Sequence, residues 1–486
     1  MSGHSQGSAS AAAQARQAEG VERFGYTQEL RRSLSFGDLL VYGLIFMVPI
    51  APFGIFGSVY SASGGMVALA YVVGGVAMTF TALSYAQMSR AFPVAGSVYS
   101  YAGRGLHPVA GFLGGWLILL DYVLVPSLLY IVAGVAMHSF VGLVPVWAWV
   151  VGFVVLNTVV NYAGITLTAR VNRVMLVAEL AVLAIFLVIG VVALASGKGN
   201  GAGLEPLFNS DTFSVGTVLT AVSVAVLSFL GFDAISTLSE ENRGDERAVG
   251  RATLAALGLA GLLFVVQTWV ASLFVAHPHQ LIAQGDGAGT AFYDAAEVAG
   301  GHWLSVLTAV ATAIAWGFAD ALVAQAATSR LLYSMARDRQ LPRFLARVHP
   351  KHQVPVNATL LVGAVSVALG VWFAHRSDGI TLLSTMVNFG ALSAFLLLHV
   401  SVLNHFVRRR AGGRVHVWRH VVGPTLGFLV ILFTIVEANV AAQRLGFTWL
   451  AIGVVIVLVS YASGRRPQLA GLGGEEHEHA EDDAST

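Results

Sequence analysis

The sequence predicts an all-α polytopic membrane protein with twelve transmembrane helices. Of its 486 residues, 56% are hydrophobic and only 11% are charged, whereas soluble domains carry about 25% charged residues. The mean hydropathy is +0.73. The net charge of +1 gives no reason to expect a nucleic-acid partner, and the absence of cysteine excludes disulfides, thiol catalysis and cysteine-ligated metal sites.

Twelve apolar segments are long enough to cross a bilayer, for which a helix needs about 20 apolar residues. If the N-terminus lies inside, all but three of the 27 lysines and arginines fall on the inner side, and the exceptions are Lys198, Arg376 and Arg444. This bias predicts a multi-pass protein of the cell (inner) membrane with both termini cytoplasmic. The predicted spans are 36–61, 66–89, 108–140, 145–163, 168–195, 214–240, 248–275, 302–333, 355–373, 380–406, 420–441 and 445–462.

The chain divides into two polar tails and a helical body. Residues 1–34 lack the apolar core of a signal peptide and are predicted to form a disordered cytoplasmic tail. A first five-helix repeat is predicted over 35–195, a second over 213–406, and helices 11 and 12 over 407–464. Residues 465–486 read as a disordered acidic tail, in which His477 and His479 offer only a weak possibility of metal binding.

Two of the predicted spans are interrupted. The first contains Pro49-Ile-Ala-Pro-Phe-Gly54, and each proline lacks a backbone donor and clashes with the preceding turn. The sixth contains Phe229-Leu-Gly-Phe-Asp233, with a glycine and a carboxylate in mid-membrane. A packed kink is the alternative at either place. Because the interruptions occupy matching positions in two five-helix halves, they indicate a transporter built from inverted repeats.

Three further motifs carry a resemblance to a known family. The loop Phe92-Pro-Val-Ala-Gly-Ser-Val-Tyr-Ser-Tyr101, the interrupted sixth span and the run Ser329-Arg-Leu-Leu-Tyr-Ser-Met-Ala-Arg-Asp338 resemble the amino acid–polyamine–organocation (APC) permeases. Gly115-Trp-Leu-Ile-Leu-Leu-Asp121 and Asn388-Phe-Gly-Ala-Leu392 are most similar to bacterial putrescine importers. The resemblance implies the leucine-transporter fold with two extra helices, no enzymatic activity, and alternating access around a site between spans 1, 3, 6, 8 and 10.

Carboxylates inside the membrane are costly, so each is a functional candidate. No predicted span holds a lysine or arginine near its centre to pair with them. The resemblance places Asp121 and Tyr122 in the substrate pocket, and Glu179 where several relatives carry a lysine in place of a sodium ion. Asp233 either binds substrate or a proton, or caps the second half-helix. We expect Asp320 near the outer vestibule, Glu179 as a proton carrier or a helix partner, and Glu437 in a structural role.

The interruptions also supply backbone and aromatic groups. We predict that the substrate contacts Ile50, Ala51, Phe53, Gly54, Phe229, Gly231, Phe232 and Asn388 in addition to Asp121, Tyr122 and Asp233. Proton coupling is assigned to Asp233, Glu179 and Asp320. Phe229 and Phe232 are predicted to gate the site by stacking on an ammonium group, and Trp316 is a further aromatic candidate.

The composition of the first interruption bears on the substrate. Relatives usually carry a Gly-x-Gly-Ile type break whose N–H groups take a carboxylate, but Pro49 and Pro52 have no N–H. With several acids nearby, this favours a ligand with amines at both ends, such as putrescine, taken up with a proton. A proton-coupled α-amino acid permease or exchanger stays the alternative, because Phe53, Gly54 and Ile55 still have N–H groups. We expect no cofactor and no metal.

Other classes of membrane protein fit less well. An intramembrane aspartyl protease would pair two aspartates as acid and base, but it needs Tyr-Asp and Gly-x-Gly-Asp motifs. Here Asp121 precedes a tyrosine, and Asp233 follows Gly-Phe. A channel, or a receptor that binds amines without moving them, would share the same polar centre but would show no counterflow. The sequence does not predict the oligomeric state.

Overall fold

The computed structural model describes residues 26–436 with gaps at 246, 287–288, 377–378 and 411–412, together with residues 22, 24 and 440–462. Within these residues the regular structure is helical, apart from one parallel bridge between Leu34 and Asn242. The α-helices are α1 (Phe36–Met47), α2 (Pro52–Ala62), α3 (Val67–Ala91), α4 (Ser97–Gly105), α5 (Pro108–Phe140), α6 (Val146–Tyr162), α7 (Ile165–Ala195), α8 (Val215–Ala225), α9 (Ala248–Ser272), α10 (Pro278–Gln284), α11 (Ala291–Gly300), α12 (His302–Ile314), α13 (Ala321–Arg337), α14 (Val356–Ala374), α15 (Gly379–Val402), α16 (Gly423–Val436) and α17 (Val440–Ala462).

Several α-helices are extended by tighter or wider turns. The 3₁₀ segments are Val226–Phe229, Phe232–Glu241 and Arg343–Ala346. The π-helical segments are Ala315–Asp320, which joins α12 to α13, Leu403–Arg408, which follows α15, and Trp418–Val422, which precedes α16. Turns of the π type are rare and occur frequently at functional sites.

The described residues contain ten helical segments long and apolar enough to cross a membrane. The pair α1 and α2, bent by 53°, makes an eleventh if it counts as one span, and α6 is a shorter apolar helix. The chain is therefore a multi-pass membrane protein. The count of twelve, the five-plus-five repeat and the domain boundaries derived from it stay predictions.

The start of the first span follows from its sequence. The hydroxyl of Ser35 accepts the N–H of Asp38 at 3.3 Å, and the Asp38 carboxylate accepts the Ser35 N–H at 3.0 Å. This reciprocal capping satisfies two donors that a helix start leaves unpaired. Asp38 also pairs with Arg173 of α7, so the beginning of α1 is tied to a second span.

Small residues allow the helices to approach closely. A Cβ at Gly390 of α15 would lie 2.8 Å from the Leu117 carbonyl of α5, and a Cβ at Gly250 of α9 would lie 2.8 Å from Ala86 of α3. Such contacts are the usual source of helix association in lipid, where burial of apolar surface gives no advantage. The Gly390 contact places α15 against α5, the longest helix among the described residues, and the Gly250 contact places α9 against α3.

The final helix is attached by a pair of tryptophans. The rings of Trp116 in α5 and Trp449 in α17 stack with centroids 4.2 Å apart. Each indole N–H donates to the other residue's carbonyl oxygen at 2.8 Å. Both indole donors are thereby satisfied in a region where water is scarce, and α17 is fixed to the bundle.

Candidate functional site

The first interruption lies between α1 and α2. Val48 has φ +50° and ψ +100°, which is the left-handed region and is strained for a β-branched residue. The Gln267 side chain of α9 donates to the Pro49 carbonyl at 2.9 Å. Strain of this kind persists only where the surroundings impose it, and it concentrates at functional sites. Gln267 escaped the sequence analysis, because one polar residue in a long apolar helix gives no pattern.

The second interruption lies between α8 and the 3₁₀ segment that follows it. Leu230 is extended, with ψ +143°, and Gly231 has φ +113°. A Cβ at Gly231 would lie 2.8 Å from the Phe46 carbonyl oxygen at the end of α1. Glycine is therefore required both by its backbone angle and by the close approach of the two interruptions. Both predicted breaks are present, and they meet.

A cavity of about 70 Å³ lies at this meeting point. Two carboxylates line it, those of Asp121 in α5 and Asp320 at the end of the π-helical turn, and its described lining contains no lysine, arginine or histidine. One oxygen of Asp320, Oδ1, is buried and has no hydrogen-bond partner in the described part of the chain. The lining residues are Phe46, Met47, Val48, Ala51, Ile55, Asp121, Val125, Leu128, Leu129, Leu227, Ser228, Leu230, Gly231, Trp316, Asp320 and Val387.

Asp233 lies behind the cavity, not on its wall. It is only 1% exposed. Its Oδ2 accepts the Tyr122 hydroxyl at 2.6 Å, and its Oδ1 accepts the Gly231 N–H at 3.3 Å. The second of these bonds is local and joins Asp233 to the glycine that precedes the 3₁₀ segment. The bond from the Tyr122 hydroxyl ties the interrupted span to α5, at the residue next to Asp121.

The predicted aromatic gates are packed away from the cavity in this conformation. Phe229 contacts Tyr71 and Phe264, and Phe232 contacts Tyr85 and Phe395. Their expected placement over a ligand is therefore corrected: Phe229 ends one 3₁₀ segment and Phe232 begins the next, and both rings pack against neighbouring helices instead of the cavity. Trp316 lines the cavity instead.

Some of the other residues predicted to contact the substrate line the cavity, and others do not. Ala51, Gly231 and Asp121 line the cavity, whereas Ile50, Phe53, Gly54, Tyr122 and Asn388 do not. Phe53 stacks on Phe292 of α11 at 3.9 Å. This contact covers the first interruption on the side that is predicted to face outward.

Asp320 and Glu179 occupy unexpected positions. Asp320, expected near the outer vestibule, lies on the central cavity wall, because the π-helical turn brings it inward. Glu179 lies in a second cavity between α7 and α12. Asp320 is within Coulombic range of both Asp121 and Glu179. Glu437 lies outside the described residues.

The end of the interrupted sixth span at Glu240 and Glu241, predicted to be its inner end, is closed by two buried ion pairs that the sequence analysis did not find. Glu241, at the end of the 3₁₀ segment, pairs with Arg330 of α13, whose Nη2 lies 3.1 Å from Oε2. Glu240 accepts two bonds from Arg337 at 2.7 and 2.9 Å and a third from the Ala95 N–H at 2.9 Å. Bidentate pairs of this kind are geometrically specific. They join the inner end of the interrupted span to α13.

The segment before α1 reinforces this closure. Residues 26–34 belong to the predicted disordered tail, yet Leu34 bridges Asn242, and the Tyr26 hydroxyl donates to Asp338 at 2.9 Å. Tyr99 of α4 donates to the same carboxylate at 2.7 Å. Burial, together with Asp338, raises the pKa of Tyr26 well above its usual value, so its phenol is a stable donor at neutral pH. The predicted end of the tail at residue 34 is therefore too late, because residues 26–34 already contact the helical body.

Comparisons with known proteins agree with this architecture. The family model described as amino acid permease matches residues 38–461. The low-affinity putrescine importer PlaP of Escherichia coli K12 is 30% identical over 456 residues, which cover 90% of this chain and 96% of that protein.

More distant relatives carry other substrates in their names. The branched-chain amino acid permease BcaP of Bacillus subtilis is 27% identical over 88% of this chain and 93% of its own length. The methylthioribose transporter of the same organism is 25% identical over 78% of this chain and 82% of its own length. These proteins are transporters, not enzymes. The chain belongs to the amino acid permease family, within the APC superfamily.

Proposed function

We propose that this permease takes up a small cationic amine, best a putrescine-like polyamine, by alternating access. The observation that carries the proposal is the central cavity, where Asp121 and Asp320 face the same space and the described lining holds no cation. Carboxylates without a protein partner inside a membrane need a proton or a cation from outside. A diamine supplies two nitrogens for two acids. The similarity to a putrescine importer supports the same substrate class.

The backbone of the first interruption argues against a carboxylate-bearing ligand. The N–H of Phe53 donates to the Ile50 carbonyl at 2.9 Å, and that of Gly54 to the Ala51 carbonyl at 3.1 Å. Pro49 and Pro52 have no N–H to offer. Two of the three donors expected at the site are therefore used in these turns. The start of α2 is therefore a poor anion site.

Closure at the two ends supports alternating access. The inner end is held by the pairs Glu240–Arg337 and Glu241–Arg330, and the outer side of the first interruption is covered by Phe292. A cavity of about 70 Å³ is smaller than the roughly 300 Å³ of ordinary ligand pockets. We infer that one end opens to admit substrate and the other to release it into the cytoplasm, with both termini on the cytoplasmic side.

The driving force follows from the charge of the substrate. One charge crossing about 100 mV gains roughly 2.3 kcal/mol, so a dication gains roughly 4.6 kcal/mol, or about three decades of accumulation. The membrane potential alone can drive diamine entry, and a coupled proton adds to it. Asp233, Asp320 and Glu179 are the proposed proton carriers. We favour the proton over sodium because these groups titrate.

A proton-coupled α-amino acid permease or exchanger is the second candidate. It is favoured by Ile55, the third expected donor, which lines the cavity, and by the similarity to a branched-chain amino acid permease. A zwitterion gains nothing from the membrane potential, so in that case a coupled ion would be obligatory.

Uptake into proteoliposomes distinguishes the two candidates. Radiolabelled putrescine and a panel of amino acids are supplied while pH and potential are set independently. The proposal predicts saturable putrescine uptake that increases with an inside-negative potential at constant pH, with counterflow by unlabelled putrescine. Uptake of a neutral amino acid that needs a pH gradient, with no putrescine uptake, would support the second candidate and reject the first.

A further inference from the structure

A second cavity opens between α7 and α12, separate from the central one. It measures about 170 Å³ and shares no lining residue with the central cavity. Eight of its nine lining residues are apolar, and the ninth is Glu179. The walls are Met175, Ala178, Val182, Leu307, Val310, Ala311, Ile314 and Ala315.

Glu179 forms the polar floor of this side cavity. It lies near the middle of α7 and is 5% exposed. Neither of its carboxylate oxygens has a hydrogen-bond partner in the described part of the chain. An unsatisfied acid at this depth is costly, and a ligand that donates hydrogen bonds would remove that cost.

The mouth of the side cavity faces the lipid. Ile314 on its rim is 43% exposed, and Val177, beside the lining residue Ala178, is 65% exposed. Both residues lie well inside membrane-spanning segments, Val177 in Ile165–Ala195 and Ile314 in His302–Arg337, so in a bilayer they are in contact with hydrocarbon. A ligand therefore reaches Glu179 from the membrane interior.

We propose that the side cavity binds a lipophilic amine, with the nitrogen donating to Glu179 and the apolar body against the aliphatic walls. A divalent cation is a poor occupant, because it needs six or more oxygen ligands and the cavity offers one carboxylate. A short diamine is equally poor, because its second nitrogen would meet only aliphatic carbon. Glu179 is also one of the proposed proton carriers, but this inference does not rest on that role, since its test measures binding alone.

The test uses the full-length protein in lipid nanodiscs and isothermal calorimetry with hexylamine, compared with hexanol of equal chain length. Glu179→Gln keeps the shape and removes an acceptor, and we expect it to weaken hexylamine affinity by about tenfold or more. Ala311→Phe fills the cavity and should abolish binding with Glu179 intact. Val177→Phe, which adds the same ring on the lipid face of α7 outside the cavity, should bind hexylamine like the parent protein.

Three results would overturn the proposal. Hexanol could bind as tightly as hexylamine, which would exclude recognition of the amine. Both Glu179→Gln and Ala311→Phe could bind hexylamine normally. Hexylamine binding could be lost in Asp121→Asn and kept in Glu179→Gln, which would place it in the central cavity. If Glu179→Gln does not fold, the comparison of Ala311→Phe with Val177→Phe decides alone.

Discussion

Replacing Glu240 by glutamine should open the inner end of the permease. In the closed structure Glu240 is fully buried and accepts three hydrogen bonds, two of them from Arg337. Glutamine can accept through one oxygen only and leaves Arg337 without its counter-charge. Breaking a buried pair by removing one partner costs about 3–5 kcal/mol. Arg337 is 13% exposed and lies 3.9 Å from the Tyr26 ring, so we take the lower limit, about 3 kcal/mol.

This cost falls on the closed state alone, because an opened inner end would expose both groups to water. A loss of about 3 kcal/mol shifts the balance between closed and open states by about 100-fold, since each 1.4 kcal/mol is a factor of ten. The chain has no cysteine, so a single Ser236→Cys substitution provides a reporter at a buried position on the inner side of the interrupted span.

Labelling of this cysteine by a membrane-impermeant maleimide in inside-out vesicles measures the opening. We expect Glu240→Gln to accelerate labelling by up to about 100-fold. Asp245→Asn, which breaks the exposed pair with Arg251 at the same end, is the matched control and should leave the rate unchanged, because exposed pairs contribute about 0–1 kcal/mol. Equal labelling rates in Glu240→Gln and the parent would refute the claim that this pair closes the inner end.

Three further substitutions test the interruptions and the anchoring of the last helix. Gly231→Ala should abolish transport, because φ +113° and a Cβ contact of 2.8 Å cost about 1–3 kcal/mol or more. The control Gly258→Ala, where nothing lies within 4 Å of the added Cβ, should transport normally. Equal transport activity of the two variants would contradict the requirement for glycine at position 231. Gln267→Leu should lower the thermal stability of the purified protein by leaving a carbonyl of the first interruption unpaired, at about 1–3 kcal/mol; an unchanged melting temperature would show that this bond contributes nothing. Trp116→Phe should cost about 1 kcal/mol and increase proteolysis within α17, whereas an unaltered digest would show that the reciprocal bonds to Trp449 do not anchor that helix.

The sequence was sufficient to predict a multi-pass helical membrane protein and the two interruptions. The length of the apolar segments determines that the chain crosses the membrane, and proline and glycine within an apolar run determine where a span is interrupted. Asp121 was found because a carboxylate in a long apolar helix is conspicuous. These predictions depend only on which residues lie close together along the chain, and that information is present in a single sequence.

The geometry around the interruptions could not be predicted in the same way. Asp320 lines the central cavity because of a π-helical turn, and no residue pattern marks such a turn. Asp233 faces Tyr122 instead of the cavity, since a 3₁₀ segment rotates successive side chains differently from an α-helix. The pairs that close the inner end join residues 89 and 97 positions apart, and charges in a 3₁₀ segment and in a distant helix give no sequence signal of their contact.

The central claim is that Asp121, exposed to the cavity between two interrupted spans, binds a cationic amine. It is tested most directly by equilibrium binding of radiolabelled putrescine to the purified protein, with Asp121→Asn compared with Asp245→Asn. The account predicts saturable binding by the parent and by Asp245→Asn, and its loss in Asp121→Asn while the melting temperature stays close to that of the parent. Putrescine binding of undiminished affinity in Asp121→Asn would contradict the account.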